Sequence, residues 1–383
     1  MIDFDNVQKK FTGFYGQGEI LKYFSPGRVN IIGEHLDYNG GFVFPAAISY
    51  GIYGFVRFND TRKVRLRSLE FDGEACIDLT ETITGSINIP WSNYPAGVVK
   101  ILIEKGFAMH GADILFASTL PPGSGLSSSA CLEILTAYIM ISNNVKTENE
   151  RILMAQICRK AENEFIGVQC GIMDQFSIAL GKKDHAVFLN TNSLEFLHVP
   201  FRLRKHSLVI MNSNKPRRLA ESKYNERLAQ CAKAVSDISR EKKITYLAEA
   251  DIEDIELISD PVIKRRARHV ITENLRVVKS VDILGNDDMI RFGSMMTDSH
   301  LSLKNDYEVT GFELNTLVDA ALNSPGCIGA RMTGAGFGGC AIALVDNDKT
   351  DLFKENVHIK YSSSAGIIPE FYSVLISDGV KNI

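Results

Sequence analysis

The sequence predicts an α+β protein built in two domains, and three observations lead there. The chain of 383 residues is long enough for two separate cores. Segments of strand periodicity and of helical periodicity are interspersed along it, with no internal repeat and no low-complexity run. Around Asn190 to Pro200 short polar and apolar pieces break the pattern, which gives domains over residues 1–195 and 196–383.

The elements follow in chain order. An aromatic cluster, Phe11, Phe14 and Tyr15, suits a first amphipathic helix. Val29 to Ile32 reads as a short strand that runs into a polar turn closed by Gly40 and Gly41. Phe42 to Phe58 is rich in strand formers, and Lys63 to Phe71 alternates as a further strand. Trp91, the single tryptophan, precedes an apolar helix from Val98 to Lys105. Ala112 to Ser118 is a strand, and Leu132, Leu135, Tyr138 and Ile139 recur at helical spacing, so a helix opens near Ser129. Thr147-Glu-Asn-Glu150 is a capping-box pattern that starts a helix through Phe165, with Glu162 in its last turns. A short helix, Ile172 to Leu180, ends at Gly181 as its C′ glycine. Asp174 lies in that helix's first turn, where the dipole favours an ionised carboxylate and where capping alone is reason enough for it. The second half opens with a strand, Ser207 to Met211, followed by helices over 217–240, 261–284 and 311–323. The charged stretch Arg240 to Asp260 reads as a solvated helical face and connector.

Composition narrows the functional class. A net charge of −4 with no basic block weighs against nucleic-acid binding, so an anionic cofactor must be held by local features. Seven cysteines, at 76, 131, 158, 170, 231, 327 and 340, form no Cys-x-x-Cys pair. That argues against a disulfide framework and structural zinc, and for core thiols in a reducing compartment. The start, Met-Ile-Asp-Phe-Asp, has neither a basic nor an apolar leader region. No run approaches the ~18 apolar residues of a membrane span. A soluble, cytoplasmic protein is expected.

Three glycine-bearing stretches carry the chemistry. In Leu120-Pro-Pro-Gly-Ser-Gly-Leu-Ser-Ser-Ser-Ala130 a strand, a glycine-rich turn and a helix N-terminus follow one another. Glycines let the backbone approach a phosphate, successive N–H groups point inward, and the dipole places positive charge there. The serine hydroxyls can donate to phosphate oxygens or ligate magnesium. The same residues also describe a plain loop and a well-capped helix. No Gly-Lys-Ser/Thr follows, so this is not a Walker A loop. The earlier turn packs Arg28, Asn30, Glu34, His35, Asp37 and Asn39 into twelve residues, more polarity than a hairpin needs. The third stretch, Gly329 to Gly339, leads into an apolar strand and not a helix, so a dinucleotide fingerprint fails there. Its backbone is free to pass close to another loop or a ligand.

In this order and spacing the three motifs resemble the GHMP small-molecule kinases, along the whole chain. Gly27-Arg-Val-Asn-Ile-Ile-Gly-Glu-His-Leu-Asp-Tyr-Asn-Gly-Gly41 is similar, almost residue for residue, to the signature segment of the galactokinases within them. Cys170-Gly-Ile-Met-Asp-Gln-Phe176, Asn212-Ser-Asn-Lys-Pro-Arg217 and Ser222-Lys-Tyr224 also resemble galactokinase segments. The resemblance implies a two-domain GHMP-kinase fold with its active site in the cleft between an N-terminal and a C-terminal α/β domain. It implies transfer of the γ-phosphoryl group of ATP to the C1 hydroxyl of galactose with Mg2+. It places Asp174 as proton acceptor and Arg28 as the charge that stabilises the transition state. Glu34, His35, Leu36, Asp37, Gly171 and Tyr224 fall at the sugar. Gly123, Ser124, Gly125, Leu126, Ser127, Ser128 and Ser129 wrap the nucleotide phosphates, Ser129 and Glu162 ligate magnesium, and Ser68 and Trp91 fall on the adenine side. Leu36 and the Pro122-Gly-Ser step depart from the family's pattern without removing a charged or ligating group.

Two rival readings stand beside this one. A sister kinase for N-acetylgalactosamine, galacturonate or arabinose differs only in a few pocket residues. A non-catalytic sugar and ATP sensor would lose residues from Ser127-Ser-Ser-Ala130, which is intact here. Galactose and ATP are the expected partners, with no nucleic acid, no membrane and a monomeric state.

Overall fold

The computed structural model describes residues 2–85, 89–121, 123, 125–215 and 220–383. Helix α1 (Phe4–Tyr15) leads into β1 (Leu21–Asn30), then β2 (Phe42–Val43), β3 (Pro45–Asn59), β4 (Lys63–Ser68) and β5 (Ala75–Asp78). Helix α2 (Asn93–Glu104) precedes β6 (Gly111–Ser118). These strands, with a last strand from the C-terminus, make a six-stranded sheet in which β1, β3 and β6 lie side by side. From Tyr23 onward β1 is buried at every position, without alternation, because both faces of the sheet are covered. On one face α1 sets Val7, Phe11 and Tyr15 against Phe55, Leu115 and Ala117. The Arg57 guanidinium ties down the end of α1 through the carbonyls of Gly16 and Gln17, and shares the buried carboxylate of Asp113 with Arg65.

The other face is covered by α3 (Ser128–Ile141) and the helices around it. Every residue from Ala130 to Ile141 is buried, as in a helix enclosed on all sides, and Glu133 and Thr136 are the polar residues among them. Helix α4 (Glu148–Lys160) opens with the expected capping box, Thr147 with Glu150. It does not continue as an α-helix to Phe165; a π turn over Ala161–Ile166 follows it, and Glu162 sits in that wider turn. Helix α5 (Met173–Leu180) ends at Gly181, whose φ of −53° is not the left-handed cap that the sequence suggests. A Cβ there would lie 2.5 Å from the Ala47 Cβ, so close packing is what requires the glycine.

Strands β7 (His185–Asn190) and β8 (Phe196–Pro200) form a hairpin whose first strand pairs with β2. The expected boundary after residue 195 falls inside that hairpin, and the chain crosses to the second sheet between Pro200 and His206. There β9 (His206–Asn212) is followed by α6 (Ala220–Ile238), α7 (Pro261–Gly285), α8 (Met289–Ser302) and α9 (Gly311–Leu322). Next come β10 (Cys327–Met332), β11 (Cys340–Asp346), α10 (Thr350–Ala365), β12 (Glu370–Val374) and β13 (Lys381–Asn382). The second sheet runs β10-β11-β9-β12, all antiparallel, while β13 returns to pair with β1 of the first. The stretch 240–260 is less solvated than its charge suggests. Leu247 is fully buried, and the Tyr246 ring lies against Gly40.

Among the described residues no helix is long and apolar enough to cross a membrane.

Helix α8 meets β10 backbone to backbone. A Cβ on Gly293 would stand 2.2 Å from the Ile328 carbonyl oxygen, and one on Gly329 would stand 2.1 Å from that of Gly293. No flexible side chain can yield there, so Gly293→Ala must push the helix off the sheet. It is expected to lower the unfolding free energy by about 1–3 kcal/mol, the scale of overpacking, measured by chemical denaturation.

Candidate functional site

The glycine-rich loop leaves β6 and enters α3. Gly123 and Gly125 have φ of 67° and 72°, conformations open to glycine, and Ser127 follows at 59°. Ser124 lies outside the described residues. The loop is docked on β1: the Leu126 carbonyl accepts from the Arg28 N–H at 3.4 Å and the Gly125 carbonyl from Arg28 Nη1 at 2.9 Å. Gly27 makes this approach possible, because a Cβ on it would lie 2.9 Å from the Leu126 carbonyl oxygen. Ser128 and Ser129 form the first turn of α3, where backbone N–H groups have no helical acceptor. Ser68 and Trp91 flank the end of β6 that feeds this loop. Ser68 Oγ bonds Glu70, whose other oxygen accepts from the Ser118 N–H. The Trp91 ring stacks on Phe71 and meets Phe116 edge-on.

Asp174 reaches the same point from the first turn of α5. Its carboxylate takes a two-pronged pair from Arg28, Nε to Oδ1 at 2.7 Å and Nη2 to Oδ2 at 2.8 Å, and Oδ2 also accepts from Ser127 Oγ. Burial works against the Arg28 charge, and the carboxylates of Asp174, Glu34 and Asp37 together more than offset it, so the arginine's pKa is raised.

The polar turn after β1 folds over this pair. Asn30 donates to Glu34 Oε2, while the Gly334 N–H of the third glycine stretch donates to Glu34 Oε1 at 2.5 Å. Burial pushes the Glu34 carboxyl up to about 7, against the pull of Arg331 at 3.6 Å. His35 is buried in a left-handed conformation with Nδ1 2.8 Å from the Tyr38 hydroxyl. Burial, with His269 and Arg227 nearby, lowers its pKa to about 3, so its ring is neutral near pH 7. Asp37 is raised to about 6 by burial and then by Asp174. It lies so close to Gly171 that a Cβ there would stand 2.2 Å from its Oδ2. The Tyr224 hydroxyl, on α6, is kept protonated by burial and by the Asp37 carboxylate.

A cavity of about 490 Å³ collects Arg28, Glu34, His35, Asp37, Glu162, Gly171, Asp174 and Tyr224, and adds Gly334 and Ala335 from the second half. Leu36 is the exception among the expected sugar residues. Its side chain is fully buried in the core, and its carbonyl accepts from Asn39 and Gly41 to make the turn.

Glu162 is held by Gln175 Nε2 at 2.6 Å, by the Cys170 thiol at 3.2 Å and by Ser129, and burial raises its pKa. Gln175 also bonds Glu133, a fully buried carboxylate whose pKa burial and Glu162 push up strongly. No basic side chain pairs with either carboxylate among the described residues. Those residues contain no group of three or more His, Cys, Asp or Glu able to hold a metal alone. The donors Ser129 and Glu162 suit a hard cation that takes its other oxygens from phosphates and water.

Sequence reasoning missed the groups behind the cavity. Arg331, fully buried on β10, reaches the carbonyls of Asn30 and Ile31 at 3.2 Å each. Glu273 of α7 accepts from the Gly33 N–H at 2.9 Å. The glycine density of residues 329–339 was the one available signal, and the loop does pass against the polar turn.

Comparisons with known proteins agree with this arrangement. Residues 9–58 match the galactokinase galactose-binding signature, 93–182 the GHMP kinase N-terminal domain and 280–363 the GHMP kinase C-terminal domain. The galactokinase of Clostridium tetani is 47% identical over 100% of this chain and 98% of its own length. That of Enterococcus faecalis is 46% identical over 98% and 99%. The crystal structure of Lactococcus lactis galactokinase complexed with galactose superposes with a TM-score of 0.92 at 39% identity, covering both chains fully. Methanococcus jannaschii mevalonate kinase, at 20% identity and a TM-score of 0.64 over 95% of this chain and all of its own, shares the fold.

The Asp37–Gly171 contact yields a prediction. In Gly171→Ala the carboxylate of Asp37 must swing away, which a side-chain end can do at little cost to stability. The Michaelis constant for the sugar is expected to rise about tenfold or more, as expected when a buried polar group loses its partner, with that for the nucleotide little changed. Steady-state kinetics varying each substrate in turn checks it.

Proposed function

The chain belongs to the galactokinase family of the GHMP kinases, and from that premise we propose that it transfers the γ-phosphoryl group of ATP to the C1 hydroxyl of D-galactose. The observation that carries the reading is the Arg28–Asp174 pair, set between the carbonyl of Gly125 in the glycine-rich loop and the polar floor of the cavity. One carboxylate there faces both a place for phosphates and a place for a sugar.

The chemistry asks mainly for positioning and charge. Asp174 orients the C1 hydroxyl and accepts its proton as the oxygen attacks phosphorus. Arg28 holds that carboxylate in place through its two-pronged pair and answers the charge that develops on the transferring group. The N–H groups at the start of α3 and the loop around Gly123 and Gly125 hold the phosphates. Glu34, neutral His35, Asp37 and Tyr224 pair with the sugar hydroxyls, so an epimer leaves buried groups unpaired. Ser129 and Glu162 would hold Mg2+, which when bound neutralises phosphate charge and fixes the nucleotide's orientation. Galactose is favoured over N-acetylgalactosamine, galacturonate and arabinose by the match to the galactose-binding signature. We read the protein as cytoplasmic and monomeric, with the Ser68 and Trp91 side of β6 beside the adenine.

Incubation with Mg-ATP and a panel of sugars, with NMR identification of the product, tests the activity. Galactose 1-phosphate is expected, and ligand binding without product would favour a sensor. Asp174→Asn should lower kcat by roughly 100-fold or more, the scale of a lost general base, while calorimetry still registers both ligands.

Glu162→Gln carries a separate expectation. It removes a charge from the candidate metal position and leaves the sugar contacts alone, so the Mg2+ concentration for half-maximal rate should rise about tenfold or more. Titration of Mg2+ at fixed ATP and galactose checks this. An unchanged Mg2+ requirement would remove Glu162 from the metal's ligands.

A further inference from the structure

Ser127 occupies the N-cap position of α3, yet its side chain makes no bond to the helix's own N–H groups. Its φ of 59° is a conformation that costs a non-glycine residue energy and is usually left to glycine. A serine kept there must use its hydroxyl elsewhere. That hydroxyl donates to Oδ2 of Asp174. The same oxygen accepts from Arg28 Nη2 at 2.8 Å, whereas Oδ1 accepts, among the described residues, from Arg28 Nε alone at 2.7 Å. A carboxylate oxygen has about two lone-pair sites. Oδ2 is therefore full, and Oδ1 retains one site.

We propose that Ser127 is a positioning residue for the reaction: it fills Oδ2 of Asp174 and so designates Oδ1 as the atom that receives the proton. The inference rests on Asp174 being the proton acceptor. The step balances without a further reactant. As the C1 oxygen of the sugar bonds to the γ-phosphorus, the bond from that phosphorus to the β–γ bridging oxygen breaks, and its electron pair leaves with ADP. The proton of the C1 hydroxyl passes to Oδ1 and later to water. A carboxylate free to turn about its Cβ–Cγ bond would offer either oxygen to the hydroxyl. Ser127 and Arg28 together remove that freedom. This assigns Ser127 a role distinct from the phosphate contact that its place in the glycine-rich loop suggests.

Ser127→Gly is the informative variant, because glycine suits the backbone and deletes only the hydroxyl. Thermal stability should hold or rise, and galactose binding by calorimetry should persist. The kcat is expected to fall about 10- to 100-fold, as for loss of a hydrogen bond to a charged group, with the Michaelis constant for ATP within about threefold of wild type. Ser127→Ala should show the same split and guards against an effect of loop looseness in the glycine variant. The double variant Ser127→Gly/Asp174→Asn should be no slower than Asp174→Asn alone within about twofold, since coupled groups are not additive. A more than tenfold rise in the ATP constant at unchanged kcat would make Ser127 a phosphate contact and overturn the proposal. Multiplying losses in the double variant would do the same. Should Asp174→Asn itself retain the wild-type kcat, the reading of Asp174 fails; should it lose activity while both Ser127 variants keep theirs, only the present inference fails.

Discussion

One buried guanidinium sits where the two halves of the protein meet behind the cavity. Arg331 has no exposed surface and is anchored to the carbonyls of Asn30 and Ile31, the Ser299 hydroxyl and, at 3.6 and 3.9 Å, the carboxylates of Glu34 and Glu273. A charge this deep is tolerable only with counter-charges around it, and Nη2, which makes no hydrogen bond among the described residues, faces the Glu273 carboxylate. Its partners come from both halves: the turn after β1 on one side, α7 and α8 on the other. Burial pushes Glu273 up, but Arg276, His269 and Arg331 together hold it at about 2, so it stays ionised opposite Arg331. Glu273 in turn accepts the Gly33 N–H that starts the polar turn. The buried ion cluster thus ties the turn after β1 to α7, α8 and β10 behind the cavity.

The cavity's carboxylates divide into two kinds by the same physics. Glu34 at about 7 and Asp37 at about 6 are raised by burial, and among the described residues neither has an arginine in hydrogen-bond contact. They are under-solvated acceptors, and a buried carboxylate in that state gains from any hydroxyl that donates to it. Among the described residues, Asp174 is the cavity carboxylate that receives a two-pronged guanidinium. The cavity thus sets one arginine-paired carboxylate within a few ångströms of others that burial has raised.

What was legible in the sequence is what local physics decides. The capping box at Thr147, the strand–glycine–helix order around Gly123 and the polarity of residues 28–39 depend on neighbours in the chain, and they stand in the fold as read. The parts that were not legible depend on distant partners. Arg331 meets a carboxylate some three hundred residues earlier in the sequence, and nothing in its own surroundings marks it. Gly181 looked like a helix cap because caps are the commonest use of glycine there, while its reason is the Ala47 Cβ. Leu36 stood inside a motif of ligands, and only burial reveals that its side chain serves the core. The π turn holding Glu162 adds one residue to a helical turn, which hydrophobic periodicity does not register.

The strained backbone positions complete the account. Three non-glycine residues with positive φ stand one in each motif loop: His35, Ser127 and Phe337. Each could relieve strain of about 1–3 kcal/mol as glycine, so each side chain must repay its conformation. His35 does so through the Tyr38 hydroxyl and a ring contact with Tyr307 at 4.8 Å. Phe337 has the Arg227 guanidinium over its ring at 5.9 Å, and its N–H bonds the Val309 carbonyl. The same Arg227 reaches the carbonyls of Tyr307 and Glu308, so the third loop and the tyrosine behind His35 share one anchor. Among the described residues the Ser127 side chain has only Asp174. Of the three, it is the one whose strain is offset by the carboxylate at the centre of the cleft. The glycine-rich loop and the Asp174 carboxylate are thereby fixed relative to each other.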